Sequence, residues 1–316
     1  MERFVERKNY LQLYGSHTWT EWWRYDGFSG PEYWGLNNQE WILCEKGKQQ
    51  SPVDINPKSL VFDPNLKPLK FEGGRVNGQL VNTGRDVTFQ LEGGENDQVF
   101  LTGGPLSYRY QIHEVKIHFG SSESQGSEHT IAGHAFSAEM QILAFNLDVY
   151  QNLSIAQKSP HGLTAIAVFG IVSDVINPEF EVIAKELSNI RYKGQNTKVS
   201  GISIADLLPR TDMYMTYEGS LTHPGCDETV TWMVINKPMY ITKSHIEQLR
   251  MLKTVEKDKP PTFMENNWRP IMPLNHRTIR TNINPVKEEE ECSTKAELFY
   301  QINDRFRGYW VHDTFH

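Results

Sequence analysis

The residues of this 316-residue chain best suited to chemistry crowd into one stretch, Tyr110 to Asn146, which reads YQIHEVKIHFGSSESQGSEHTIAGHAFSAEMQILAFN. Within it Lys116 and His118 stand two residues apart in a β-prone run, so both side chains project from one face of a strand and share a pocket wall. An imidazole can ligate a transition metal or carry a proton near neutral pH. A lysine in its ordinary state does neither, because its ammonium has three donors and no lone pair. It repels a cation instead. His113 falls one residue out of phase and is expected on the opposite face, and neither His129 nor His134 has ligand spacing with His118. Catalytic zinc needs three protein ligands and an open position, which one histidine does not supply.

Such a pair needs a rigid sheet beneath it. From Gln50 to about Ile283, short β-prone runs alternate with turn residues: VTFQL, VFLTGG, EVKIHF, EMQILAF, LTAIAVFGIV, VTWMVI and PMYIT. That rhythm predicts a large mixed, mainly antiparallel sheet. Helical patterns are fewer in this region, with FEVIAKELSNI over 180–190 and SHIEQLRML over 244–252, each with apolar residues three and four apart. Trp34 and Trp41, in an aromatic-rich segment, are expected as core anchors.

Composition narrows the classes further. Hydrophobic residues make up 38% of the chain, enough for a real core, and the net charge of −7 argues against a nucleic-acid partner, which calls for a basic face. Mean hydropathy is −0.54 and no apolar run approaches the length of a membrane-spanning helix. Residues 1–20 are polar, mixed in charge and without the apolar centre of a secretory signal, and are expected to be a flexible segment. Asn152-Leu153-Ser154 is a glycosylation sequon.

Several spaced motifs carry a family signature: QSPVDI at 50–55, GGPL at 103–106, QGSEHT at 125–130, YEGSLT at 217–222, and NWRP, PLNHR and IRTNIN between 267 and 284. With them the chain resembles the α-class carbonic anhydrases over residues 21–283. That resemblance implies an α+β, mainly β fold with a central twisted, mostly antiparallel sheet of about ten strands and peripheral helices. The family holds zinc with two histidines in the pattern HxHxG and a third in an E-x-H segment. Here KIHFG and EMQIL place Lys116 and Gln141 at two of those positions and leave His118 alone. A glutamine carbonyl suits harder cations than zinc, so zinc is expected to be absent and no cofactor is expected.

The resemblance also assigns the rest of the site, as vestiges. Thr222 and Glu128 match the pair that orients zinc-bound hydroxide, and Arg85 stands at the proton-shuttle position, where a guanidinium cannot relay protons near pH 7. Leu143, Ala165, Leu221 and Trp232 match an apolar wall, and His223 the pocket mouth. Glu139 and Glu114 match the groups that would orient the two missing imidazoles. Since an unpaired buried charge costs several kcal/mol, Lys116 is expected to pair with Glu139, Glu128 or Glu114.

Cys44 and Cys226 match the cysteines that are bridged in secreted and membrane-bound members, which implies a disulfide and an oxidising compartment. A secreted, extracellular glycoprotein carrying sugar on Asn152 is then expected; two buried free thiols in a cytoplasmic protein are the alternative. The IRTNIN ending, the cysteine-bearing tail and the lost ligands most resemble the carbonic anhydrase-related proteins X and XI, although Lys116 stands where that subgroup is expected to have arginine. This implies a catalytically inactive extracellular protein-binding module with a neuronal cell-surface partner of the neurexin type. Cys292, the odd cysteine, is the candidate for a disulfide to that partner. The competing reading is a weakly active zinc-dependent carbonate dehydratase or esterase working through His118. In the tail, 284–316, the acidic run KEEEEC precedes Leu298, Ile302, Phe306 and Tyr309 at helical spacing. A short amphipathic helix, docked on the domain or on a partner, is expected there.

Overall fold

The computed structural model describes residues 22–94 and 97–284. The segment before Trp22 and the tail, with Cys292 and the expected helix, lie outside the described residues.

The strands follow one another as β1 (Asp54–Ile55), β2 (Val61–Phe62), β3 (Leu69–Gly73), β4 (Val76–Asn82), β5 (Val87–Leu91), β6 (Val99–Gly103), β7 (Tyr110–Phe119) and β8 (Thr130–Ile131). They continue as β9 (Ala138–Asn146), β10 (Leu163–Val172), β11 (Asn196–Ile202), β12 (Tyr214–Gly219), β13 (Val230–Ile235), β14 (Met239–Ile241) and β15 (Arg280–Thr281). Thirteen of them form one sheet, with the central order β11-β4-β5-β7-β9-β10-β13-β12-β15-β2, while β1 and β8 pair separately. Parallel pairing within the large sheet is limited to β10 with β13 and β14, and β15 with β2; the rest is antiparallel. Ten strands lie on that central path, the number the resemblance implied, and β3, β6 and β14 pair off it.

Sequence pattern explains where the sheet is thickest. AEMQILAFN, the whole of β9, is buried on both faces, as a central strand requires. On one face Val115, Ile117, Met140, Ile142 and Ile166 form a first core. Against it pack the helix Pro178–Glu186, through Phe180, Ile183 and Ala184, and the helix Lys243–Arg250, through Ile246 and Leu249. Both helices start on side-chain caps: Asn177 accepts from the N–H groups of Glu179 and Phe180, and Thr242 from that of His245. On the opposite face Leu143, Ala165, Leu221 and Trp232 form a second core.

A third cluster joins Trp34, Trp41, Cys44 and Cys226. Cys44 and Cys226 are bridged, 182 residues apart in sequence, as the resemblance implied. The bond fastens the short helix Leu43–Lys46 to the loop after Thr222.

Candidate functional site

β7 and β9 pair with Lys116 opposite Gln141 and His118 opposite Glu139. Directly opposed residues point the same way, so the four side chains make one patch on the second-core face, behind which Val115, Ile117 and Phe119 fill the first core.

Lys116 Nζ donates to Asp86 Oδ2 at 3.3 Å and lies 3.7 Å from Glu114 Oε1. Asp86 immediately precedes β5, two residues before Thr88, which lies opposite Lys116. The hydroxyls of Thr83 and Thr88 each donate to Asp86 Oδ1 at 2.8 Å. Burial would raise the Asp86 carboxyl, but Lys116 and the two hydroxyls outweigh it and hold it well below the carboxylate range. Burial likewise opposes ionisation of Glu114, yet Lys116 and His113 bring it down to about 2. Lys116 is itself desolvated, and the two carboxylates still lift it above an ordinary lysine. Of the expected partners Glu114 is engaged, while Glu139 and Glu128 are turned elsewhere. Asp86 is the partner that sequence reasoning missed; only the β5–β7 register brings it to Lys116, and no local pattern announces that.

Gln141 closes the other half. Its Nε2 donates to Glu128 Oε2 at 2.7 Å and to Glu139 Oε1 at 2.9 Å. Glu139 Oε2 accepts the N–H groups of Glu128 and His129, and His129 Nδ1 donates to Glu139 Oε1 at 2.9 Å. The His129 ring meets the Tyr217 hydroxyl at 2.6 Å through its other nitrogen. Burial pushes Glu139 up, but His129 and Gln141 bring it below the usual range. Glu128 Oε1 accepts the Arg269 N–H at 2.8 Å. Glu128 makes no hydrogen bond to Thr222 among the described residues, although both are buried. His118 donates from Nδ1 to the carbonyl of Asn267 at 2.7 Å. Its Nε2 is buried without a partner among the described residues.

The mouth is built from the amino-terminal aromatics. The Arg85 guanidinium lies over the Trp23 ring at 4.6 Å, and Trp23 stacks on His223 with centroids 6.4 Å apart. Tyr25 meets the His118 ring edge-on at 6.3 Å. Burial pushes the His223 imidazole down to about 4, with the Lys116 charge adding to it. His113 is not on the opposite face, as the strict two-residue period predicted. A β-bulge between Ile112 and Glu114 adds one residue, which sets His113 3.5 Å from Glu114 and 6.2 Å from the Phe145 ring of the second core.

The remaining predicted positions are placed as follows. Leu143, Ala165, Leu221 and Trp232 do adjoin one another. Asn152 is exposed and caps the helix Leu153–Gln157 through its Oδ1, which accepts from Ile155 N–H. Arg269, which sequence reasoning noted only as part of NWRP, is fully buried and donates to Gln50 Oε1 and to the carbonyls of Ser51 and Cys44.

The zinc held by active members of the resembling family does not fit this donor set. One imidazole offers a free nitrogen, an ammonium stands beside it, and the third position presents an amide whose N–H₂ is already given to two carboxylates. Among the described residues no group of three His, Cys, Asp or Glu side chains is placed to hold a metal ion.

A thirteen-stranded mixed sheet with a polar patch buried on its central strands defines a domain of the carbonic anhydrase type. The chain belongs to the eukaryotic-type carbonic anhydrase family, whose family model matches residues 29–283. It is 39% identical over 285 residues to carbonic anhydrase-like protein 2 of Caenorhabditis elegans, an alignment spanning 87% of this chain and 85% of that protein.

Proposed function

We propose that the chain is a catalytically silent carbonic anhydrase relative that serves as an extracellular protein-binding module, with the anhydrase fold as a rigid scaffold. The observation that carries this reading is the engagement of both replaced positions: Lys116 is paired with Asp86 and Glu114, and Gln141 bridges Glu128 and Glu139. Hydration of CO2 by this family's chemistry needs a Lewis acid that brings a bound water to a pKa near 7. The side chains at this patch instead take up one another's donors and acceptors. Thr222, Glu128 and Arg85 are vestiges in this reading, as are the positions of Lys116, His118 and Gln141.

The Cys44–Cys226 disulfide supports an oxidising compartment, and the exposed Asn152 supports glycosylation there. The partner we favour is a neuronal cell-surface protein of the neurexin type, by resemblance to the related proteins X and XI, with Cys292 as the residue that bonds to it. In non-reducing gels of secreted material, Cys292→Ser should abolish a covalent complex; a complex that survives the substitution removes this role.

The unpartnered Nε2 of His118 favours a second reading, a weak zinc enzyme. Zinc stoichiometry by plasma mass spectrometry, with CO2 hydration on the same sample and Lys116→His/Gln141→His as control, separates the two. Zinc far below one per chain, background hydration and metal gained by the variant support the silent reading. Near-stoichiometric zinc with hydration above buffer overturns it.

A further inference from the structure

On the sheet face away from Lys116, a groove of about 840 Å³ is lined by Leu69, Phe71, Pro178, Leu208 and Ile235. Leu69, Phe71 and Leu208 are only partly buried and pack on the first core. Acid outweighs base around this groove, with Glu179, Asp206 and Asp212 against Arg210, and Arg75 reaches Glu179 from outside at 2.8 Å.

The described chain ends at this groove. Asn282 Nδ2 donates to the carbonyl of Asp212 at 2.6 Å, and Asn282 Oδ1 accepts the Tyr214 N–H at 3.0 Å. Asp212 is a lining residue and Tyr214 pairs with Ile235, another one. Two residues later, at Asn284, the described residues end. Residues 285–297 can span up to about 40 Å when extended, far more than a return to the groove requires. Beyond them stand Leu298, Ile302, Phe306 and Tyr309 at helical spacing, with Arg305 and Arg307 on either side of Phe306.

We propose that the groove is the docking site of the chain's own tail. The apolar positions of residues 298–309 seat on Leu69, Phe71 and Leu208, and Arg305 and Arg307 face Asp206 and Asp212. Three features converge on this occupant: the exit point, the apolar period and the opposed charge. Attachment at both ends makes residues 285–297 a closed loop with Cys292 near its middle. Docking of the tail requires no particular bond at Cys292.

The test is hydrogen–deuterium exchange on the full chain in a Cys292→Ser background, with and without Leu298→Asp/Phe306→Asp. Peptides covering residues 69–73 and 204–212 should exchange at least about threefold faster when the tail is altered, with β9 unchanged. In the reciprocal experiment, Leu208→Asp should hasten tryptic cleavage at Arg305 and Arg307. Groove peptides that exchange alike in both proteins overturn the proposal. So does protection that grows with protein concentration, which assigns the groove to a second copy.

Discussion

Lys116 on β7 lies directly across the antiparallel ladder from Gln141 on β9, and each answers a different pair of carboxylates. The ammonium takes Asp86 and Glu114; the amide takes Glu128 and Glu139. Two neighbouring side chains thereby engage three buried acids and the partly buried Glu114.

Removing the ammonium leaves Asp86 and Glu114 without their counter-charge. Lys116→Met should cost about 3 to 5 kcal/mol, the range for breaking a buried ion pair on one side. Asp86→Asn in the same chain should recover part of that loss. Urea unfolding followed by tryptophan fluorescence reads both, and a double-mutant cycle with no coupling between Lys116 and Asp86 would refute the pairing.

Gln141→Leu keeps the volume near constant and withdraws two hydrogen bonds from buried carboxylates. A loss of about 2 to 4 kcal/mol is expected, from two acceptors each left short at about 1 to 3 kcal/mol with some relaxation. Gln141→Glu should be worse, since it adds a third carboxylate to Glu128 and Glu139.

The disulfide closes a loop of 182 residues. In the chain-entropy account this stabilises the fold by about 5 kcal/mol. Cys44→Ser/Cys226→Ser should lower the unfolding midpoint accordingly, and a midpoint unchanged within error would rule out a structural role for the bond.

Acid should weaken the domain in two stages. His223 is depressed to about 4 in the fold, so between its ordinary value near 6.5 and that point the unfolded chain takes up a proton that the folded chain refuses. Stability therefore falls as pH drops through that window. Glu114, held at about 2, contributes stability above the ordinary carboxylate value that is lost as pH falls towards 2. Asp86 adds in the same direction. His223→Gln should flatten the upper stage alone, measured as urea midpoints from pH 7 to pH 4.

Ser154→Ala removes the sequon while leaving Asn152 as the helix cap. On the extracellular reading proposed above, secreted protein should then migrate faster and stop responding to endoglycosidase, with its unfolding midpoint unmoved. Asn152→Gln should remove the sugar that this reading places there and also cost about 1 kcal/mol through the cap.

Much of the frame was readable because its signals are local. VTFQL, LTAIAVFGIV and VTWMVI correspond residue for residue to β5, β10 and β13, since a run buried on one or both faces has to be written in β-branched and aromatic residues. Lys116 and His118 sharing a wall follows from strand period alone. What stayed hidden depended on register or on an insertion. Asp86 reaches Lys116 only because β5 slides Thr88 opposite it, and His113 changes face only because one residue bulges out of β7. Neither event alters local composition. The amide of Gln141 bridging two acids was likewise invisible, as it requires knowing that QGSEHT folds over β9.

That bridge bears on how the protein is made. A carboxylate cluster that waits for an ion leaves a nascent domain exposed to whatever metal its compartment delivers. Here the last donors come from the polypeptide itself, through Gln141 and the Arg269 amide. On the silent reading proposed above, maturation needs no loading step, so the yield of folded protein from cells grown in zinc-depleted medium should equal that from replete medium.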